Sequence, residues 1–265
     1  MNIVVCVKYV PDATADRHFE SDYTVDREGV DGLLSELDEY AVEQAMQIKD
    51  KLSEAGSTDI EITVLTMGPA DATGAIRKAL QMGADKGVHV NDDLIAGSDS
   101  IGTSLVLAEA IKKLDHDLVI CGMASTDGSM GVVPAMVAER LALPAVTLGS
   151  EVELDDGTVR IRRDGDTATQ TIEGSVPLVL SVTDQSGEAR YPSFKGIMAA
   201  KKKPLETWSL SDLGVSAEQV GLSTAWTQVD GVEARPPRTQ GEIVTDEEGS
   251  GGARLTEFLA SKKFI

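Results

Sequence analysis

The sequence predicts an α/β fold in which helices flank an open, mostly parallel sheet. Three observations lead there. Up to about residue 149, short runs rich in Val, Ile and Leu alternate with longer segments of helical period, the pattern of repeated strand–helix–strand units. These runs are apolar at successive positions, as strands buried on both faces are. After residue 150 the pattern changes to alternation about an Asp156-Gly157 turn, which signals an antiparallel hairpin added to the parallel sheet.

In chain order, strands are expected over residues 3–7, 61–66, 87–90, 118–121 and 145–148, and a further buried one over 176–182. A first helix is expected over 37–52, where Leu37, Ala41, Ala45, Ile48 and Leu52 recur on one stripe and Ser35 is available as N-cap. A second, over 71–82, follows Gly68-Pro69, turns Ala72, Ile76, Ala79 and Leu80 inward and stops at Gly83. A third is expected over 99–114 with Ile101, Leu105, Ala108 and Ile111 inward. The fourth begins near Gly131, where Pro134 is tolerated because it falls in the first turn. The hairpin flap spans about 151–173, and residues 1–228 read as one α/β domain. Residues 229–252, with Pro236-Pro237, Asp246-Glu247-Glu248 and Gly249-Ser250-Gly251-Gly252, read as an extended linker. The helix expected beyond it, over 254–263, has Leu255, Phe258 and Leu259 on one face. It is too short to stand alone, so that face packs on this chain's body or on another chain.

With 265 residues, 42% of them hydrophobic, the chain can bury a large core. Its net charge of −20 argues against nucleic acid as a partner, because binding a phosphate backbone needs a basic face. No apolar run reaches the roughly 20 residues of a membrane span. Met1 leads almost directly into the first strand, without the pattern of a signal peptide. Cys6 and Cys121 each lie inside an apolar strand and read as buried free thiols of a reducing compartment. A cytoplasmic location is expected.

The segment Cys121-Gly-Met-Ala-Ser-Thr-Asp-Gly-Ser-Met-Gly131 runs from a strand end to a helix start. Its glycines and the hydroxyls of Ser125, Thr126 and Ser129 suit a phosphate group met by backbone N–H donors. An ordinary glycine-rich turn is the other reading. Asp127 repels phosphate and suits a turn cap or a ribose hydroxyl instead. Loops 8–12 and 67–69 end other strands of the sheet and come to the same edge. No G-x-G-x-x-G, Walker loop or nucleophile elbow is present. His18, His89 and His116 have no metal-ligand spacing, and no nucleophile stands beside a base, so no catalytic residue or metal ligand is assigned.

The run Arg190-Tyr-Pro-Ser-Phe-Lys-Gly-Ile-Met-Ala-Ala-Lys-Lys-Lys-Pro204 holds five basic residues and no acid within a strongly acidic chain. A solvated basic patch beside a short helix is one reading. Phe194 and Met198 set amid the charge support another, a docking loop with an aromatic anchor and a basic rim.

These residues together carry a resemblance. Val7-Lys8-Tyr9-Val10-Pro11-Asp12, the helix Asp38-Glu-Tyr-Ala-Val-Glu-Gln-Ala45, Met67-Gly-Pro69, Ile76-Arg-Lys-Ala-Leu-Gln-Met-Gly-Ala-Asp85 and, most specifically, the 190–204 run resemble the electron-transfer flavoprotein β subunit over nearly the whole chain. The resemblance implies an adenine-nucleotide-hydrolase-like α/β domain with an extended C-terminal arm that packs on a large α subunit. It implies FAD held mainly by that subunit, and AMP in this chain among Cys6, Val7, Lys8, Asp38, Met67, Gly122, Met123, Ala124, Ser125, Thr126, Asp127, Gly128, Ser129, Gly131, Val132 and Val133. It further implies a recognition loop of Tyr191, Pro192, Ser193, Phe194, Lys195, Gly196, Ile197 and Met198, with Phe194 where many members have leucine. Lys201 and Lys202 match lysines that are methylated in some members. Flavin dehydrogenases such as acyl-CoA dehydrogenases are the implied electron donors, and a membrane quinone oxidoreductase an implied acceptor. Met123-Ala124 and Gly131-Val132-Val133-Pro134 replace the glutamine and the Gln-Val-Gly of many members, which leaves the nucleotide open between AMP and, in an electron-bifurcating branch, a second FAD. An ATP-binding regulatory protein of the universal-stress type is the competing class. It expects a G-x2-G-x9-G-[ST] loop, which Gly122, Gly128 and Gly131 do not supply.

Overall fold

The computed structural model describes residues 1–237, 241, 243–246 and 249–265, so parts of the predicted linker at 238–240, 242 and 247–248 lie outside the described residues. Met1–Asp230 form one compact unit and Gly231–Ile265 a second. The chain runs β1 (Asn2–Cys6), β2 (Tyr9–Pro11), β3 (Gly32–Leu34), α1 (Glu36–Glu54), β4 (Glu61–Met67), α2 (Thr73–Met82), β5 (Lys86–Val90), α3 (Ser100–Lys112), β6 (Leu118–Gly122), α4 (Val133–Leu141), β7 (Ala145–Gly149), β8 (Glu151–Asp155), β9 (Thr158–Asp164), β10 (Thr169–Ser175), β11 (Leu178–Val182), α5 (Phe194–Ala200), β12 (Leu205–Trp208), α6 (Leu210–Leu213) and α7 (Gly251–Ser261).

Seven strands form an all-parallel sheet in the order β12-β5-β4-β1-β6-β11-β7. Successive side chains of a strand point to opposite faces, which is why the central strands β1, β6 and β11 are almost wholly apolar, whereas β7, at the sheet edge, is not buried on both faces as expected and exposes Ala145 and Leu148. In β1, Ile3 and Val5 enter the core under α1 and α2, while Val4 and Cys6 enter the one under α3, α4 and α6. Ala41, Ala45 and Ile48 of α1 and Ala75, Ile76, Ala79 and Leu80 of α2 close the first core. Pro134 occupies the first turn of α4, where a missing N–H breaks no helical bond.

Four local readings need correction. The inward face of α3 is formed by Val106, Leu107, Ala110 and Ile111, while Ile101 and Leu105 are only half-buried. The helix is apolar on most sides, and α4 covers a second flank through Arg140, whose Nε donates to Ser104 Oγ at 2.9 Å, so periodicity alone does not orient it. The flap is a three-stranded antiparallel sheet, β10-β9-β8, reaching Ser175. The predicted start of α2 at Asp71 is a 3₁₀ turn, Ala70–Ala72, ahead of the helix. Finally, β2, β3, β12 and α6 are too short to carry a sequence period; β12 adds the seventh parallel strand.

In the second unit, α7 buries no residue, and Leu255, Phe258, Phe264 and Ile265 are each more than half exposed. Among the described residues no helix is long and apolar enough to cross a membrane.

Candidate functional site

β1 pairs with β4 on one side and β6 on the other. The connections leaving β1 and β6 therefore diverge, and the crevice between their carboxyl ends is where open parallel sheets bind ligands. Asp38, in the first turn of α1, ties its walls together. Its buried carboxyl accepts the Lys8 N–H at 2.8 Å through Oδ2 and packs Oδ1 against Gly122. Glycine is required at 122 by this closeness: a Cβ there would lie 2.4 Å from Asp38 Oδ1 and 2.7 Å from the Leu37 carbonyl oxygen.

Ser35 takes the N-cap position, but its hydroxyl caps nothing. The residue is held by its backbone, whose N–H donates to the Lys8 carbonyl at 2.8 Å. Its Oγ and the Oγ1 of Thr126 are buried without a hydrogen-bond partner. Such orphaned hydroxyls suit a polar ligand, since leaving them unpaired is costly.

Asp127 is the electrostatic centre of the glycine-rich segment. One carboxylate oxygen accepts from Lys8 Nζ at 2.8 Å and from the Gly128 N–H at 2.7 Å; the other accepts from Arg27 Nη2 at 2.9 Å. Burial alone would raise its pKa, but the Lys8 ammonium, Ser125 and Arg27 outweigh it and hold the group well below the usual carboxylate range. Asp127 thus caps its turn and neutralises one of two cations.

Arg27 and Arg17 are the residues that sequence reasoning missed. They sit on the excursion between β2 and β3, and Arg17 Nη1 donates to the Thr126 carbonyl at 2.9 Å. The available signal is composition: these are the only Lys or Arg residues in 12–31, among seven acidic ones.

Among the other predicted site residues, Cys6 turns its side chain into the core under α3 and α4 and Val7 into the opposite core, and the Val7 N–H donates to the Leu65 carbonyl at 2.9 Å, so neither side chain reaches the crevice. Cys6 and Cys121 are in-register neighbours and free thiols. Contact with Cys6 and burial push the Cys121 thiol up, so it stays protonated. Met67 ends β4, the strand beside β1. Met123, Ala124 and Ser125 are half-buried, and Gly128, Ser129 and Gly131 are exposed at the rim. Val132 and Val133 open α4, with Val133 packed against the core.

Burial pushes the Asp38 carboxyl up to about 7, against the pull of the Lys8 and Gly122 N–H groups and the Lys8 charge, with Asp127 adding to the rise. The fold therefore holds a proton there that the unfolded chain releases near 3.8. This contribution to stability is present below about pH 4 and is lost as pH rises through 7. Relative to Asp38→Asn, the wild-type protein should lose about 2 kcal/mol between pH 5 and pH 8 in denaturant titrations. Equal slopes for the two proteins would show that Asp38 does not titrate in this range.

A second surface lies at 190–204, pinned at both ends. Arg190 Nε and Nη2 donate to the buried Glu43 carboxylate at 2.7 and 3.0 Å, and Nη2 also reaches Asp50 at 3.0 Å. Lys203 Nζ donates to the Leu80 and Ala84 carbonyls at the end of α2, at 2.9 and 2.5 Å. Between these anchors, Ser193 caps α5 by accepting the Gly196 N–H at 3.0 Å, and Gly196 allows α5 to approach the Gln81 carbonyl, which a Cβ would meet at 2.5 Å. Of the five basic residues, Arg190 and Lys203 are thus internal fasteners, whereas Lys195, Lys201 and Lys202 are exposed. They rim an apolar cluster in which Tyr191 is 93% and Phe194 81% exposed, with Ile197 and Met198 beside them. Pro192 is half-buried.

The profile of the family described as electron transfer flavoprotein domain matches residues 22–213. The chain is 46% identical over 266 aligned residues to the electron transfer flavoprotein subunit beta of Mycobacterium bovis, with all of this chain and 99% of that one covered. It is 32% identical to the protein of that name from Clostridium acetobutylicum, with both chains fully covered. To the caffeyl-CoA reductase-Etf complex subunit CarD of Acetobacterium woodii it is 35% identical over 246 residues, 92% of each chain.

Proposed function

This chain belongs to the electron transfer flavoprotein family, as a relative of its beta subunits, and from that premise we propose that it is the small subunit of a heterodimer whose large α subunit holds FAD while this chain holds AMP. The observation that carries the AMP reading is the crevice between β1 and β6. Two cations, Lys8 and Arg27, are held there by one carboxylate, and two hydroxyls are orphaned. That donor set fits a nucleotide monophosphate: N–H groups and cations for the phosphate, hydroxyls for the ribose.

In this reading FAD supplies the electron-carrying chemistry, accepting and releasing electrons in one- or two-electron steps. The residues of this chain bind and orient. Lys8, Arg27 and the 122–133 backbone hold AMP and so fix the loops around it. The exposed cluster of Tyr191, Phe194, Ile197 and Met198, rimmed by Lys195, Lys201 and Lys202, docks flavin dehydrogenases of the acyl-CoA dehydrogenase kind. The apolar face of α7 packs on the α subunit. A membrane quinone oxidoreductase is the acceptor we favour.

Co-expression with the α subunit, followed by acid release and counting of nucleotides, tests the reading. One FAD and one AMP per heterodimer is expected. Two FAD and no AMP would turn the assignment to an electron-bifurcating subunit, since the AMP half of FAD uses the same donors; no flavin would overturn it.

A further inference from the structure

We propose that Arg27, carried by the excursion between β2 and β3, is the residue that makes this site select a phosphorylated nucleotide over the bare nucleoside. The inference rests on the nucleotide reading above and adds to it a residue outside the loops that the resemblance implied.

The geometry is a three-charge cluster with one positive charge in excess. Asp127 is almost wholly enclosed, its side chain 2% exposed, whereas Lys8 and Arg27 are 41% and 32% exposed. The carboxylate faces inward and the cations keep an outer surface. Arg27 uses one N–H on Asp127 and another on the Tyr9 carbonyl at 3.1 Å. A guanidinium has five N–H donors, so three remain. Lys8 Nζ is engaged by Asp127 at 2.8 Å and, more weakly, by Ser125 Oγ at 3.4 Å, which leaves one of its three donors.

The other charged groups near the cluster are Arg17, Asp12 and Asp38. Arg17, from the same excursion, adds a cation on the Thr126 carbonyl. Asp38 is buried behind Lys8, where it accepts the Lys8 N–H and burial favours its uncharged form. The excursion is otherwise acidic, yet both of its arginines are laid on 126–127. A planar fork held by Asp127 and the Tyr9 carbonyl is oriented in advance, and its geometry matches two phosphate oxygens. A nucleoside without phosphate gains nothing from it.

The test uses the heterodimer after removal of AMP, titrated calorimetrically with AMP and with adenosine. Arg27→Gln should bind AMP at least about tenfold more weakly, the order expected for a lost charged hydrogen bond, while adenosine affinity changes less than about twofold. Arg27→Lys, which keeps the charge and loses the fork, should fall between. AMP affinity unchanged in Arg27→Gln would overturn the inference, and so would equal loss of AMP and adenosine, which would mark Arg27 as a scaffold residue. If the wild-type heterodimer binds neither ligand, the nucleotide reading itself fails and the inference falls with it. Binding of both by wild type with no change in their ratio across the variants would sink the inference alone.

Discussion

Replacing Gly122 with alanine is expected to cost the protein about 3–5 kcal/mol of stability, the sum of overpacking and of buried hydrogen bonds broken at the crevice, and, on the nucleotide reading proposed above, to strip the heterodimer of AMP. The new Cβ would lie 2.4 Å from Asp38 Oδ1 and 2.7 Å from the Leu37 carbonyl. Neither neighbour can give way cheaply. The Asp38 carboxyl is enclosed and already accepts the Lys8 N–H, and the Leu37 oxygen belongs to the first turn of α1, whose following residues pack in the core. Relief requires α1 to withdraw from β6, which frees the Lys8 N–H from Asp38, or the segment after β6 to lift, which draws Asp127 away from Lys8. The checks are a thermal melt, with a fall of roughly 10 °C, and the nucleotide content of the purified complex. An alanine variant that retains AMP at full stoichiometry and melts like the wild type would remove the crevice between β1 and β6 from consideration as the site.

Phe194→Ala should leave flavin, nucleotide and melting temperature unchanged while weakening transfer with a dehydrogenase partner by roughly 30-fold or more, the loss typical of an aromatic anchor at an interface centre. The separation of effects follows from position. Phe194 is 81% exposed, so its truncation opens no cavity. Its loop is fastened by Arg190 to Glu43 and Asp50 and by Lys203 to the end of α2, so the backbone that presents it stays in place. A rise in the apparent KM for the dehydrogenase at unchanged saturated rate would identify an association defect. Unchanged transfer with every dehydrogenase tried would show that partners dock elsewhere.

The strands and the first two long helices were legible because burial leaves a local record. A strand covered on both faces must be apolar throughout, as residues 3–7 and 118–121 are, and a helix on a sheet must repeat its apolar stripe, as Ala41, Ala45 and Ile48 do. Where that record is weak the reading slipped. α3 is apolar on most sides and was rotated in expectation, and three-residue strands such as β2 and β3 hold no period at all. The basic run at 190–204 could be seen as unusual, but nothing local distinguishes Lys203, which caps α2, from Lys202, which is exposed.

The sequence by itself determined the α/β class, most of the elements, the glycine-rich strand-to-helix turn and the family likeness. Each is written in residues close along the chain, where period and spacing act. Only the tertiary structure decided that β1 and β6 lie side by side, that Asp38 holds Lys8 and packs on Gly122, and that Arg27 reaches Asp127 across 100 positions. Those contacts depend on the strand order of the sheet, which is set by the packing of the whole domain, and a charge or a carboxylate carries no local mark of the distant partner that will satisfy it.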